Sequence, residues 1–138
     1  MLWNDNPRYS PSHWETIVHG IEAFPDYISY YHDIIYDDVF KVNVLTVLPT
    51  LDMYDLIICC DVLEHLTLED GNRLLDLMKQ HGKHSLVSVP IKVSPQNDDF
   101  NNPYEKHRTQ WAKWYLEQYG AVKRQGKSLV LEIIGSSD

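Results

Sequence analysis

The chain has 138 residues, 43% of them hydrophobic and 23% charged, and a formal net charge of −8. That length supports one domain with a single core but is small for a complete nucleotide-dependent enzyme, and the ordinary globular composition excludes general disorder. The acidic balance excludes broad phosphate-driven binding of nucleic acid, because such a surface repels a polyanion.

Residues 1–15 read as an irregular arm, with Pro7 and Pro11 among Trp3, Tyr9 and Trp14. Residues 16–138 read as one α/β domain. A β-rich run, Thr16 to Glu22, closes on an acidic residue, and Phe24-Pro25 opens a helical turn through about Tyr31. A second strand is predicted at Lys41 to Val47, ending before Pro49. The third, Tyr54 to Cys60, is nearly all apolar, which predicts a strand covered on both faces in a parallel sheet.

Cys59 and Cys60 end that run and are the only cysteines. Neighbours in a strand point to opposite faces, so the pair builds neither a disulfide framework nor a thiolate metal site. They read as two buried small residues. The sequence reads without a secretory signal, and no apolar run approaches the roughly 20 residues of a membrane span. A reducing, cytoplasmic setting with no membrane partner is the expectation.

Asp61-Val62-Leu63-Glu64-His65-Leu66 follows, then a well-signalled helix. Thr67 suits the N-cap, and Glu69 and Asp70 suit the positive end of the helix dipole. Leu68, Leu74, Leu75 and Met78 form the apolar stripe. Lys79 and His81 lie in the last turn, and Gly82 is expected to close it in a left-handed conformation. Ser85 to Val89 is another short buried strand, stopped by Pro90.

Residues 91–108 form a long polar loop, of a length that in compact domains is usually either a functional lid or disordered. A helix is predicted from about Thr109 to Tyr119, its aromatics at helical spacing serving core and lid packing. Ala121–Gln125 and Ser128–Ile134, joined at Gly126, give a hairpin signal. Strands alternating with helices and finishing in a hairpin imply a mainly parallel α/β sheet with an antiparallel end. Such sheets bind ligands beyond the carboxyl ends of their strands. Attention therefore falls on Glu22, Asn43, Asp61 to His65 and the loop after Pro90.

The run Tyr54 to Leu66 resembles the fourth-strand motif of class I S-adenosylmethionine-dependent methyltransferases, an apolar strand followed by D-V-L-E-H. Gly20-Ile21-Glu22 is similar to their second-strand end, and the terminal hairpin to their sixth and seventh strands. Asn102-Pro103-Tyr104-Glu105-Lys106-His107-Arg108, followed by Trp111, is similar to a substrate-side segment of one bacterial and phage-type subgroup. The resemblance covers about residues 16 to 135 and implies a Rossmann-like fold with S-adenosylmethionine as cofactor.

On this resemblance Glu22 holds the ribose hydroxyls, for which a carboxylate accepting both hydrogen bonds is well suited. Asn43 falls where the family usually has an aspartate at the adenine amino group, and its carbonyl can still accept. Asp61 lies beside the methionine part, where its charge attracts an ammonium or sulfonium, with Val62 as the neighbouring cofactor contact. His65 and His107 are the catalytic candidates, since imidazole titrates near neutral pH. Methyl transfer from a sulfonium needs mainly alignment of a reactive centre, so a general base is optional.

The family's first strand and its glycine-rich loop have no counterpart here. The six glycines, at 20, 71, 82, 120, 126 and 135, are never closer than six positions. In the family that strand lies between those placed here at Thr16–Glu22 and Tyr54–Cys60. The two must then pair directly, or another chain must fill the gap, with exposed apolar surface favouring a homodimer or a complementing N-terminal segment. The leading expectation is methyl transfer to a small-molecule acceptor. A fold that has lost cofactor binding and serves as an interaction module, or persists as a truncated remnant, is the alternative. A metal-dependent hydrolase built on Asp61, Glu64, His65 and His107 is disfavoured, because D-x-x-E-H lacks a recognised zinc spacing; no metal is expected.

Overall fold

A computed structural model describes residues 15–96 and 102–136, which fall in two compact units divided between Val44 and Leu45. The arm expected at the N-terminus lies almost wholly outside the described residues.

In the first unit, β1 (His19–Ile21) pairs in parallel with β2 (Asp38–Phe40), with His19 opposite Asp38 and Ile21 opposite Phe40. The pairing continues past both ends of β1. Glu22 N donates to Phe40 O at 3.0 Å, and Asp37 N to Val18 O at 2.8 Å. The crossover holds a 3₁₀ turn at Pro25–Tyr27 and helix α1 (Tyr30–Ile35). Ser29 precedes α1, and its amide donates to Nδ1 of His32 at 3.0 Å, satisfying one donor at the helix start.

The strand predicted at Lys41 to Val47 is therefore displaced: β2 ends at Phe40, and Val44–Val47 forms a helical turn, α2. A short apolar run fits a strand or a buried helix equally by pattern. Here Leu45 and Leu48, spaced for one helical face, are 8% and 2% exposed, and burial of that pair selects the helix.

The second unit is a four-stranded sheet in the order β3-β4-β6-β5. Strands β3 (Tyr54–Cys60) and β4 (Gly82–Pro90) are parallel, and β5 (Ala121–Gln125) and β6 (Ser128–Ile134) add antiparallel pairings. The hairpin turns at Gly126 with φ 59°, a left-handed conformation that glycine adopts without a Cβ penalty. Helix α3 (Leu68–His81) is capped by Thr67, whose hydroxyl accepts from Asp70 N at 3.1 Å.

One face of this sheet carries the core. Leu74, Leu75 and Met78 of α3 meet Val87, Val89, Leu131 and Ile133, all at most 1% exposed. Each such side chain contributes about 1.5–3 kcal/mol on leaving water. Leu68, expected in the apolar stripe, is 48% exposed, because it lies at the first helical position before the stripe turns inward.

The opposite face is open. Leu56 and Ile58 on β3, Leu86 on β4 and Ile134 on β6 are 48%, 64%, 37% and 65% exposed, and the register aligns them across the sheet. This corrects the expectation that β3 is covered on both faces: β3 is an edge strand, with no partner beyond it among the described residues. Cys59 is buried while Cys60 is exposed, so only the first cysteine is a core residue.

Gly82 also departs from expectation. Its backbone is extended, φ −121° and ψ 133°, and α3 passes straight into β4. The glycine serves close packing instead, since a Cβ there would lie 2.7 Å from Ser85 Oγ and 3.0 Å from Ile57 Cδ1.

Candidate functional site

The chain leaves β3 through Asp61, the one non-glycine residue with positive φ, 54°, among the described residues. Aspartate tolerates this left-handed region better than most residues. The bend is held by Asp61 N donating to Ser88 O at 3.1 Å. It turns the backbone into a 3₁₀ segment, Leu63–His65, so Asp61 to His65 gather at the carboxyl end of the parallel pair.

Leu63 and Glu64 are 0% and 3% exposed. Their carbonyls are taken by a late segment of chain. Trp111 Nε1 donates to Leu63 O at 2.9 Å, and Arg108 N and Thr109 N both donate to Glu64 O, at 2.7 and 3.1 Å. Thr109 Oγ1 donates to Leu66 O at 2.7 Å. The loop after Pro90 is thus pinned rather than loose on its described stretches. His107 N donates to Gln96 O at 3.2 Å, Gln110 bridges Val93 and Ile91, and Asn102 is 1% exposed.

These bonds exclude the long helix predicted from Thr109 to Tyr119. Only Lys113–Leu116 is helical (α4), because Thr109 and Trp111 are committed to carbonyls of the Leu63–Leu66 segment. The packing role expected of the aromatics holds for Trp111, 1% exposed. Tyr115 and Tyr119 both donate to Asn72 Oδ1 at 3.1 Å, whereas Trp114 is 69% exposed.

The same clamp brings His107 beside His65, with ring centroids 4.9 Å apart at 52°. Glu64 joins them: one ligand-type atom from each of the three residues lies within 4.8 Å of the others. Glu64 Oε2 and His65 Nδ1 are buried and without a hydrogen-bond partner. Burial pushes the Glu64 carboxyl above its ordinary range, against its own backbone hydrogen bond and the neighbouring His65, which lower it. Burial likewise pushes the Cys59 thiol up to about 12, with Cys60, Glu64 and Asp61 adding to the effect.

Asp61 is exposed and stands outside this three-residue group, and Val62 leads directly into the 3₁₀ segment. In the first unit, Glu22 follows the last residue of β1, and its Oε1 accepts from Phe24 N at 2.7 Å. Asn43 precedes α2 in the link after β2. The sequence singled out His65 and His107 separately. Glu64, the buried third member, entered the sequence reading only in the disfavoured metal-hydrolase set with Asp61, His65 and His107.

No family model matches the chain, and no curated protein matches it. Solved structures do. The small RNA methyltransferase HEN1 superposes with a TM-score of 0.60 at 13% identity, over 87% of this chain and 20% of that one. Magnesium protoporphyrin IX methyltransferase from Synechocystis PCC 6803, with bound SAH, gives 0.58 at 16% identity, over 88% and 65%. The N-methyltransferase NodS from Bradyrhizobium japonicum WM9 gives 0.56 at 11% identity, over 88% and 74%. The chain has the class I methyltransferase-type fold, with its antiparallel C-terminal hairpin. It spans 20% and 65% of the lengths of the first two of these proteins. No helix among the described residues is long and apolar enough to cross a membrane.

Proposed function

We propose that the chain serves S-adenosylmethionine-dependent methyl transfer to a small-molecule acceptor. The observation that carries this is the fold shared with a methyltransferase crystallised with SAM and with SAH, together with Asp61–His65 at the carboxyl end of β3, where sheets of this class bind ligands. In this reading Glu22 holds the ribose hydroxyls and Asn43 accepts from the adenine amino group. Asp61 and Val62 border the methionine portion.

His65 and His107 face the acceptor. The bonds that fix Arg108 and Thr109 to Glu64 O and His107 to Gln96 O supply the alignment on which transfer from a sulfonium chiefly depends. The net charge of −8 favours a small acceptor over a polyanion, although HEN1 by its name acts on RNA. The setting is cytoplasmic, and the open apolar face with Leu56 and Ile58 suits a homodimer or a complementing segment.

A non-catalytic module is the second reading, favoured by the wide spacing of the six glycines, among which no G-x-G-x-G run occurs. Ultraviolet cross-linking of methyl-labelled S-adenosylmethionine separates the two. Competable label on the peptide containing Asp61 to His65 supports the enzyme, and label that excess S-adenosylhomocysteine fails to displace supports the module.

A further inference from the structure

Glu64, His65 and His107 form a group with the chemistry of a metal site. Their three candidate ligand atoms all lie within 4.8 Å of one another. Two observations besides proximity point to a cation. Glu64 is 3% exposed, yet its Oε2 has no partner, and neither has the buried Nδ1 of His65. Buried polar atoms are rarely left unpaired, and an anionic oxygen least of all. A cation among the three supplies what the protein does not.

The second observation is the ring of His107. Its Nδ1 is hydrogen-bonded to Ser94 O, and a carbonyl only accepts, so Nδ1 carries the proton. In the neutral ring Nε2 then keeps its lone pair, and the ring is held in place. Metal-ligating histidines are oriented in this way, by donating the other ring N–H to a backbone carbonyl or carboxylate. The amides of Arg108 and Thr109 are fixed to Glu64 O at 2.7 and 3.1 Å, so two backbone bonds hold the two halves of the group in register.

We propose that Glu64, His65 and His107 bind a first-row divalent transition ion, of which Zn²⁺ is the representative. Two imidazoles with one carboxylate suit Zn²⁺ and its neighbours better than Mg²⁺ or Ca²⁺, which take oxygen ligands. In a tetrahedral site with ligands at about 2.1 Å, donor atoms stand roughly 3.4 Å apart, a contraction that side-chain rotation supplies. Three protein ligands leave a coordination position open to water or to an oxygen of a bound molecule, which the ion polarises as a Lewis acid. The spacing Glu64-His65 followed by a remote His107 matches no linear zinc motif, because the third ligand arrives through the pinned loop. The site stands on its own geometry, whether or not the chain transfers methyl groups.

The test is titration of the metal-free, untagged full chain with ZnCl₂ by calorimetry, and with CaCl₂ in parallel. The expected result is one equivalent of Zn²⁺ bound, with a higher thermal midpoint and no saturable Ca²⁺ binding. Glu64→Gln, His65→Gln and His107→Gln should each weaken Zn²⁺ at least tenfold, while His32→Gln, remote in sequence, should not. Far-UV circular dichroism shows which variants fold. Should Glu64→Gln fail to fold, the partly exposed His107→Gln carries the comparison. No saturable Zn²⁺ binding by the folded wild type overturns the proposal, and so does affinity unchanged in the folded variants.

Discussion

The indole of Trp111 donates to the carbonyl of Leu63 across 2.9 Å, joining the turn after β3 to a segment 48 residues later in the chain. Both residues are buried, at 1% and 0% exposure. The bond adds to the one that Leu63 O accepts from Leu66 N within the 3₁₀ turn and ties that turn to the late segment. The positions of Glu64 and His65 therefore depend on a residue far from them in sequence.

Trp111→Phe keeps most of the apolar area and removes the donor. Losing the indole donor leaves Leu63 O with the Leu66 amide alone, at 3.2 Å, and should lower stability by about 0.5–1.5 kcal/mol, whereas Trp111→Ala adds a cavity and should cost about 3–5 kcal/mol. Urea denaturation of both variants checks the order. Equal losses would mean that the ring's packing adds nothing beyond the hydrogen bond, and no loss in Trp111→Phe would mean that the bond itself contributes nothing.

Gly71 lies in the first turn of α3, under that same ring. Glycine to alanine in a helix normally stabilises by up to about 1 kcal/mol. Here a Cβ would overlap Cζ2 and Cη2 of Trp111, and the indole cannot move without breaking its bond to Leu63. Gly71→Ala should therefore destabilise, by about 1–3 kcal/mol. A rise in the thermal midpoint would show that the indole has room to shift.

Glu64 gives a prediction of opposite sign. Its carboxyl is raised above the ordinary value of 4.5 mainly by burial, so the folded state favours the protonated form. That contribution is fully present below pH 4.5 and is lost as pH climbs through the folded value. In metal-free protein at neutral pH, Glu64→Gln should raise stability, because it removes a buried charge with an unpaired oxygen. Denaturation with chelator present is the measurement, and a lowered midpoint would show the carboxylate to be compensated.

The cysteines should separate chemically. Cys60 is exposed and Cys59 buried, with the Cys59 thiol raised from 9.0 to about 12. Iodoacetamide at pH 8 should alkylate Cys60 and leave Cys59 intact until the chain unfolds, since the thiolate is the nucleophile. The shift also means that stability held below pH 9 falls between pH 9 and 12. Tyr119 is raised too and acts in the same direction. Peptide mapping that finds both cysteines labelled in native protein would contradict the placement of β3.

Features carried by neighbouring residues were legible in the sequence. The apolar run of β3, Thr67 three residues before Asp70, and Gly126 between two short strands each signal through local chemistry. Features that depend on distant partners were not. Val44–Val47 reads as a strand until the burial of Leu45 and Leu48 is known. Thr109 and Trp111 carry helical spacing, yet they bond to carbonyls 43 and 48 residues away. Glu64, His65 and His107 could be named together from ligand type alone, but their approach in space, without Asp61, is a product of that tertiary clamp. The openness of β3 follows from its place at the edge of the second sheet, which its alternating neighbours do not reveal.

The most direct test of the functional account is calorimetric binding of S-adenosylmethionine and S-adenosylhomocysteine to the full chain and to Glu22→Ala. The account predicts saturable binding to the wild type, weakened about tenfold or more when the carboxylate is removed, equivalent to roughly 1.4 kcal/mol or more. A folded chain that shows no saturation at millimolar ligand, or binds equally well without the Glu22 carboxylate, would contradict it.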